Sequence, residues 1–402
     1  MTAVTHAPMA PPEPGLTPDE IVARAEAMVP ALVERQAETE RRTYYAPDTH
    51  EAFARAGFYR ILVPRRFGGY EFGVETFMRV SMTLARGCPS TGWMYSFGAA
   101  HTLAVATLFG ERAQSELFAC GDFVCPATVA PGGSARPDGE GGWLLDGTWS
   151  YCSGAPYATH FMGHVVVDGQ PMLFVAPRDQ WRRLDDWGGQ LGLKGSGSHS
   201  IAMEGGRVPG HLTLPTHLSQ AVVTGGTPGR DLHGNPEYGG GPLSVMLLGS
   251  AAVVLGMAQG ALDAYEELMR TRTTIFPPFT TRAEDPDYQF WYGEAAGMLA
   301  AAEAAMTNAV QQWSRTCAAG PAAFTRERDV RLATVSREVA RLAWRAVEGC
   351  LFPTAGSSAV RDGQRMERIW RDMSTTHSHA GFAIYLAALA NRELSRARFG
   401  LD

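Results

Sequence analysis

The sequence predicts an α+β protein in three parts: helices first, antiparallel strands in the middle, a helical bundle at the end. Three observations carry that expectation. Apolar residues recur at helical spacing before residue 122, two Asp-Gly pairs sit between β-prone runs within 122–223, and four long amphipathic stretches fill 243–402. With 402 residues, 45% of them hydrophobic and 19% charged, the chain has material for a large core.

The opening, "MTAVTHAPMAPPEPGL", is rich in proline and small residues, which predicts a disordered tail over 1–16. It lacks an apolar segment flanked by positive charge, so no secretory signal is expected. The N-terminal helical domain is placed at 17–121. Thr17, Pro18 and Glu20 form a capping-box start, and Ile21, Ala25, Met28 and Leu32 continue one apolar stripe. Further helices are expected at 48–57, 75–86 and 90–118, with a loop at 62–73.

A β-barrel-like domain is placed at 122–223. Asp146-Gly147 and Asp168-Gly169 are each expected to turn a hairpin, because a type I′ turn needs positive φ at both central residues. "HSIAMEGGRVP" and "LTLPTHL" supply further strands. The stretch 224–242, "TGGTPGRDLHGNPEYGGGP", is expected to be a glycine-rich linker without regular structure. A four-helix bundle follows, with helices near 243–273, 286–318, 325–351 and 363–398.

Composition excludes several classes of function. A net charge of −6 with no basic stripe argues against nucleic acid as partner. No apolar run approaches the roughly 20 residues of a membrane span. The six cysteines have neither CxxC pairing nor zinc-like spacing, so no metal site is expected and the thiols are read as reduced. The protein is expected to be cytoplasmic.

Two sets of histidines stand out. Trp93, Phe97, His101, Ala104 and Leu108 share one helical face, which puts His101 within an apolar stripe. It is either a core histidine bonded to a backbone carbonyl or a proton-transfer group on a pocket wall. His377 and His379 lie in "RDMSTTHSHAGF". HxH on a helix does not bring both rings to one face, which argues against a metal. Because "STT" is a weak helix former, a break at 374–379 would let one imidazole face inward and the other face solvent. Both could equally be surface residues. "GLKGSGSHS" is a weak phosphate-loop pattern or a turn. Arg270 and Arg272 complement a helix C-terminus or bind a phosphate.

Taken in order, "GFYRILVPRRFGGYE", "GCPSTGWMYSFGAAH", "GTWSYCSGAPYATH", "WGGQLGLKGSGSHSIAMEGGRVP" and "RIWRDMSTTHSH" resemble the two-component (group D) flavin-dependent monooxygenases that share the acyl-CoA dehydrogenase fold. The resemblance spans about 17 to 400. It implies an acyl-CoA dehydrogenase-like architecture and the oxygenase component of a two-component system. Reduced FMN or reduced FAD, with FMN favoured, would come from a separate NAD(P)H:flavin reductase. Through a flavin hydroperoxide formed with O2, the enzyme would hydroxylate a small phenolic, polycyclic or indolic aromatic. The family expectation is a homotetramer, and the alanine- and arginine-rich composition suggests a role in antibiotic or other natural-product biosynthesis.

By the same resemblance His379 is catalytic, nine residues after Trp370 in a "WRD…H" pattern, and His101 sits in the substrate pocket with Trp93 and Phe97. Thr128 falls near the reactive edge of the flavin. Trp149, Cys152, Ser153 and Ser198 match flavin-side positions, and Arg270 matches an arginine that reaches the flavin phosphate of a neighbouring subunit. His377 matches no family position. The glutamate motif of the acyl-CoA dehydrogenases is absent, and "FPTAGSSAV" stands where a QxxGG-type signature of tight FAD binding is expected. N- or S-oxygenation on the same fold, an acyl-CoA dehydrogenase-like flavoprotein and a non-catalytic scaffold are the competing readings.

Overall fold

The structure, a computed structural model, describes residues 9–401. The first half of the expected tail, 1–8, lies outside the described residues. Residues 9–16 depart from that expectation because they are held by the fold. The Met9 amide donates to the Arg66 carbonyl at 3.3 Å, Glu13 pairs with Arg24 and Leu16 is buried.

Seven helices follow: α1 (Pro18–Glu34), α2 (Gln36–Arg42), α3 (Pro47–Ala56), α4 (Gly73–Gly87), α5 (Pro89–Ala99), α6 (His101–Leu108) and α7 (Glu111–Leu117). Thr17 and Glu20 form the anticipated capping box on α1. The stretch expected as one helix over 90–118 is three. Pro89 starts α5, and extended backbone at Phe109 and Gly110 separates α6 from α7. The junction at Ala100 keeps helical angles, so Trp93, Phe97 and His101 still follow one another along one face.

The middle of the chain forms β1 (Ser134–Pro137), β2 (Gly142–Trp149), β3 (His160–Val167), β4 (Gln170–Pro177), β5 (Arg182–Arg183), β6 (Ile201–Pro209) and β7 (Thr213–Leu214). They make two antiparallel sheets, β1-β2-β6-β5 and β3-β4-β7. Asp168 and Gly169, both at positive φ, turn the β3–β4 hairpin as expected. Asp146-Gly147 does not turn. Instead β2 runs through it with a bulge between its pairings to β6, while Asp146 accepts the Gly205 amide. A Cβ on Gly147 would lie 2.3 Å from the Gly133 backbone, so close approach accounts for this glycine.

The stretch 224–242 is also more ordered than its composition suggests. It contains α8 (Pro228–His233) and a 3₁₀ turn, Pro236–Gly239. The Thr227 hydroxyl donates to the Tyr238 carbonyl, and Tyr238 donates to Leu62. Glycines permit these turns, and side chains elsewhere in the stretch pin them.

The C-terminal region comprises α9 (Pro242–Thr271), α10 (Pro286–Ala318), α11 (Arg326–Arg345), α12 (Phe352–Ala355), α13 (Arg365–His377) and α14 (Ala390–Phe399). Two π-helical segments, Ala346–Leu351 and Gly381–Leu389, interrupt the third and fourth expected helices. Helix α9 corrects the expectation about apolar runs: its length and mean hydropathy of 1.8 would suffice for a span. Here it packs against α4, α5, α10, α11 and α13, with 83% of its most apolar window buried, and is the central helix of the core.

Candidate active site

Helix α13 stops where the two histidines begin. The hydroxyls of Thr375 and Thr376 bond back to the carbonyls of Arg371 and Met373, and the amides of Ser378 and His379 reach only three residues back. The last turn is tightened and the chain kinks, as small hydroxyl residues favour. The π-helical segment then starts from the His379 carbonyl, which accepts the amides of Phe382 and Ala383.

The two imidazoles, two positions apart, point in different directions. His377 is exposed, stacks on Trp344 at 3.8 Å and meets Glu348 at 3.0 Å. His379 turns inward among aromatic rings, 5.2 Å from Trp93, 5.7 Å from Phe97 and 6.1 Å from Phe382 between centroids. Of the two readings, inward and outward is the one the geometry takes.

Hydrogen-bond partners assign the proton on the buried ring of His101 and the partly buried ring of His379. At His379 the Gly381 amide donates to Nδ1 at 3.2 Å, so neutral His379 carries its proton on Nε2. At His101 the pattern is opposite: Nδ1 donates to the Cys125 carbonyl at 2.9 Å, leaving Nε2 as an acceptor. Burial drives both pKa values from 6.5 to about 4, opposed at His101 by its backbone bonds. His101, only 4% exposed, makes the carbonyl bond of a core histidine and has a pKa well below the ordinary 6.5, and its Nε2 is the atom left over for a ligand. It presents a lone pair; His379 presents a donor.

A chain of hydroxyls supports the aromatic wall. Trp93 Nε1 donates to Ser153 Oγ at 3.1 Å, Ser153 meets Ser198 at 2.7 Å, and Ser198 meets Ser196 at 2.7 Å. Trp93 stacks on Phe97 at 4.4 Å. One contiguous unit thus joins Trp93, Phe97, His379, Ser153 and Ser198.

Thr128 is held by its backbone, with its amide on Met162 and its carbonyl accepting from His164 Nδ1 at 2.8 Å. Its hydroxyl is buried without a partner. A buried polar atom without a partner is costly, so a ligand that satisfies it would gain from doing so.

Other expected contacts are placed differently. Trp149 is buried against Phe161 and Phe174, and its N–H is taken by the His164 carbonyl. The Cys152 thiol is fully buried against the Trp149 carbonyl, and burial pushes its pKa up. Both side chains are enclosed by protein atoms in this chain. Arg270, on the last turn of α9, is exposed and paired with Glu266, away from the other site residues in this chain.

Sequence reasoning missed three contributors. Ser196 extends the hydroxyl chain. Tyr151, 68% exposed, adopts a left-handed φ of 63° just before Ser153 and meets Trp187 edge-on at 5.7 Å. A bulky residue in that conformation marks local strain, which concentrates at functional sites. Its immediate neighbourhood, "YCSG", was the available signal. Asp372, buried between α13, α5 and the 192–200 loop, had no signal beyond its place in "WRD". Among the described residues no three His, Cys, Asp or Glu side chains converge as a metal site would need.

Comparison with known proteins places the two helical regions and the fold as a whole. Residues 19–119 match the acyl-CoA dehydrogenase N-terminal domain, and residues 248–384 match the acyl-CoA dehydrogenase C-terminal domain. The chain is 30% identical over 373 residues to a pigment production hydroxylase of Rhodococcus sp. (strain ATCC 21145), covering 91% of this chain and 93% of that one. It is 29% identical to the flavin-dependent monooxygenase, oxygenase subunit HsaA, of Rhodococcus jostii (strain RHA1), covering 89% and 93%. The crystal structure of the HsaA monooxygenase from M. tuberculosis superposes with a TM-score of 0.85 at 25% identity, covering 96% and 98%.

Proposed function

The chain belongs to the flavin-dependent monooxygenases of acyl-CoA dehydrogenase fold, as an oxygenase component served by a separate flavin reductase, and from that premise we propose how its residues act and on what. The substrate is an electron-rich aromatic, a phenol, polycycle or indole, held flat against the Trp93–Phe97 stack. The cofactor is reduced FMN in preference to reduced FAD, in keeping with "FPTAGSSAV" in place of a tight-FAD signature. The observation that carries the reading is the inverted pair of neutral histidines, a donor at His379 Nε2 and an acceptor at His101 Nε2.

When bound, reduced flavin supplies the two electrons that activate O2 and deliver one electrophilic oxygen atom. The chain's residues do the rest. The unsatisfied Thr128 hydroxyl and the Ser153–Ser198 pair suit the polar edge of a flavin ring. Trp93, Phe97 and Phe382 exclude water around His379, which strengthens hydrogen bonds made there. His379 Nε2–H donates toward the activated oxygen, and its low pKa keeps it from losing orientation to a second proton. His101 Nε2 accepts from a substrate hydroxyl, raising electron density on the ring.

The functional unit is a homotetramer. Ile275, Phe276, Phe279 and Phe290 are all more than 60% exposed around the α9–α10 connection, close in sequence to Arg270. Exposed apolar residues so grouped suit a surface covered by another copy, and Arg270 would there reach a neighbour's flavin phosphate.

The test is reconstitution with an NAD(P)H:flavin reductase under ¹⁸O2, with panels of phenols, polycycles and indoles offered with FMN and then with FAD. Incorporation of one labelled atom into an aromatic product, faster with FMN, is expected. Peroxide as the sole product with every aromatic would overturn the substrate proposal, and equal rates would overturn the FMN preference.

A further inference from the structure

We propose that Asp372 is a positioning residue whose carboxyl group locks together the three segments that build the site: the helix leading to His379, the loop carrying Ser196 and Ser198, and the helix carrying Trp93. The inference deepens the functional reading above and rests on it for its effect on oxygen chemistry.

The geometry is specific. Asp372 is 3% exposed. One carboxylate oxygen accepts the Leu193 amide, and the other accepts the Ser90 hydroxyl at 3.1 Å. Ser90 Oγ in turn accepts the Gly195 amide at 3.3 Å. The neighbouring Arg371 donates to the Leu191 carbonyl at 3.0 Å. Between these anchors, Gly192 lies so close to α13 that a Cβ there would sit 2.1 Å from the Arg371 carbonyl oxygen. Residues 191–195 are therefore pinned, backbone against backbone, on the helix that ends before His379.

Each anchor is within two helical turns of a site side chain. Ser90 lies one turn before Trp93 on α5, Gly195 immediately precedes Ser196, and His379 follows Asp372 by seven positions. Freeing the loop would let Ser198 withdraw from Ser153, and Trp93 would lose the far end of its support.

Protonation changes how the carboxyl group holds its partners. As an anion, Asp372 accepts from Leu193 and Ser90 together. Once protonated on the Ser90 side, its own O–H would oppose the Ser90 O–H, and Ser90 would have to turn its hydrogen away. The charged and titratable groups facing it are Glu40 from α2, Arg371 and Arg368 from α13, and Cys88 before α5. Arg371 is shared with Glu40 and Glu367 and offers no exclusive counter-charge. Burial thus raises Asp372 from 3.8 to about 7, so the closed clamp keeps a proton that an opened, water-exposed Asp372 would release, and the clamp loosens as pH rises toward 7.

The test uses the ligand-free full chain first. Amide hydrogen exchange at Leu193 and Gly195, corrected for intrinsic rate, is measured about one pH unit below and above 7 in wild type, Asp372→Asn and Ser90→Ala. Wild type is expected to lose about tenfold protection at both amides as pH rises across that range, because an opened Asp372 in water ionises more readily than the enclosed one. Asp372→Asn should show no pH step, and Ser90→Ala should lose protection at Gly195 while keeping it at Leu193. A purely structural role would move overall stability without producing that step. Protection in wild type independent of pH, or a step that persists in Asp372→Asn, overturns the proposal. If Asp372→Asn does not fold, Ser90→Ala decides, since an unchanged Gly195 amide overturns the link.

The second readout is the ratio of hydrogen peroxide to oxygenated product with reduced flavin. It should rise severalfold in both variants. If wild type itself forms no product, the functional reading fails, while the exchange data still decide the clamp. If wild type is well coupled and both variants match it, the clamp fails and the functional reading stands.

Discussion

The imidazole of His379 stands edge-on to the indole of Trp93, with ring centroids 5.2 Å apart and planes at 81°. Neither ring is free to choose that angle. Trp93 is fixed by its bond to Ser153 and its stack on Phe97, and His379 by the Gly381 amide on Nδ1. The consequence is a histidine Nε2–H donor with a set direction in apolar surroundings.

Thr128 and Cys152 separate a ligand contact from a packing contact. Thr128→Val removes a buried hydroxyl that has no partner, so stability should hold or rise by up to about 1 kcal/mol. Reduced-flavin binding should weaken severalfold in the same variant. Cys152→Ala should do the reverse, losing about 1 kcal/mol or more through the cavity while binding flavin normally. Thermal melts with anaerobic flavin titrations check both, and normal flavin affinity in Thr128→Val would remove that residue from the site.

Acid should unfold the protein early. His101, His160, His164, His233 and His379 all have pKa values lowered by burial to about 4. Below pH 6.5 the unfolded chain takes up protons that the folded chain refuses, so stability is present above the unfolded pKa and is lost as pH falls toward 4. For His101 alone the loss amounts to about 3 kcal/mol. Denaturant unfolding between pH 7 and 5 should show midpoints falling steeply, and His101→Gln should flatten part of that fall. A flat profile would contradict the lowered pKa values of these histidines.

At the α9–α10 connection, Phe276→Asp together with Phe279→Asp should dissociate the assembly into smaller species, read by sedimentation velocity. Each fold should remain intact, because both side chains are more than 70% exposed within the chain. An unchanged assembly would direct the search for the interface elsewhere.

Much of the architecture was legible locally. Thr17 and Glu20 announce a helix start and Asp168-Gly169 a hairpin, because caps and turns are set by neighbouring residues. Asp146-Gly147 misled for the same reason: the dipeptide has turn chemistry, but pairing of β2 with both β1 and β6 carries the strand through it as a bulge. The 224–242 stretch looks featureless until the distant partners of Tyr238 and Arg230 are known.

In the site, the hydroxyl run before His379 correctly marked a break, and the resemblance brought together Trp93, Phe97, Ser153, Ser198 and His379. It also drew in Trp149 and Cys152, whose near-complete burial a motif does not display. Asp372 was out of reach because its partners lie 282 and 179 residues away along the chain. Long-range polar contacts of that kind leave no periodic trace in sequence.

The most direct test of the account is rapid mixing of the protein and reduced FMN with oxygenated buffer, followed by absorbance, for wild type, His379→Gln and His379→Ala. The account predicts a spectroscopically distinct species between reduced and oxidised flavin in wild type, decaying at least about 10²-fold faster in His379→Ala. His379→Gln, which retains an N–H donor, should fall between them. Identical kinetics in all three proteins, or direct oxidation of flavin with release of peroxide in wild type, would contradict the role given to His379.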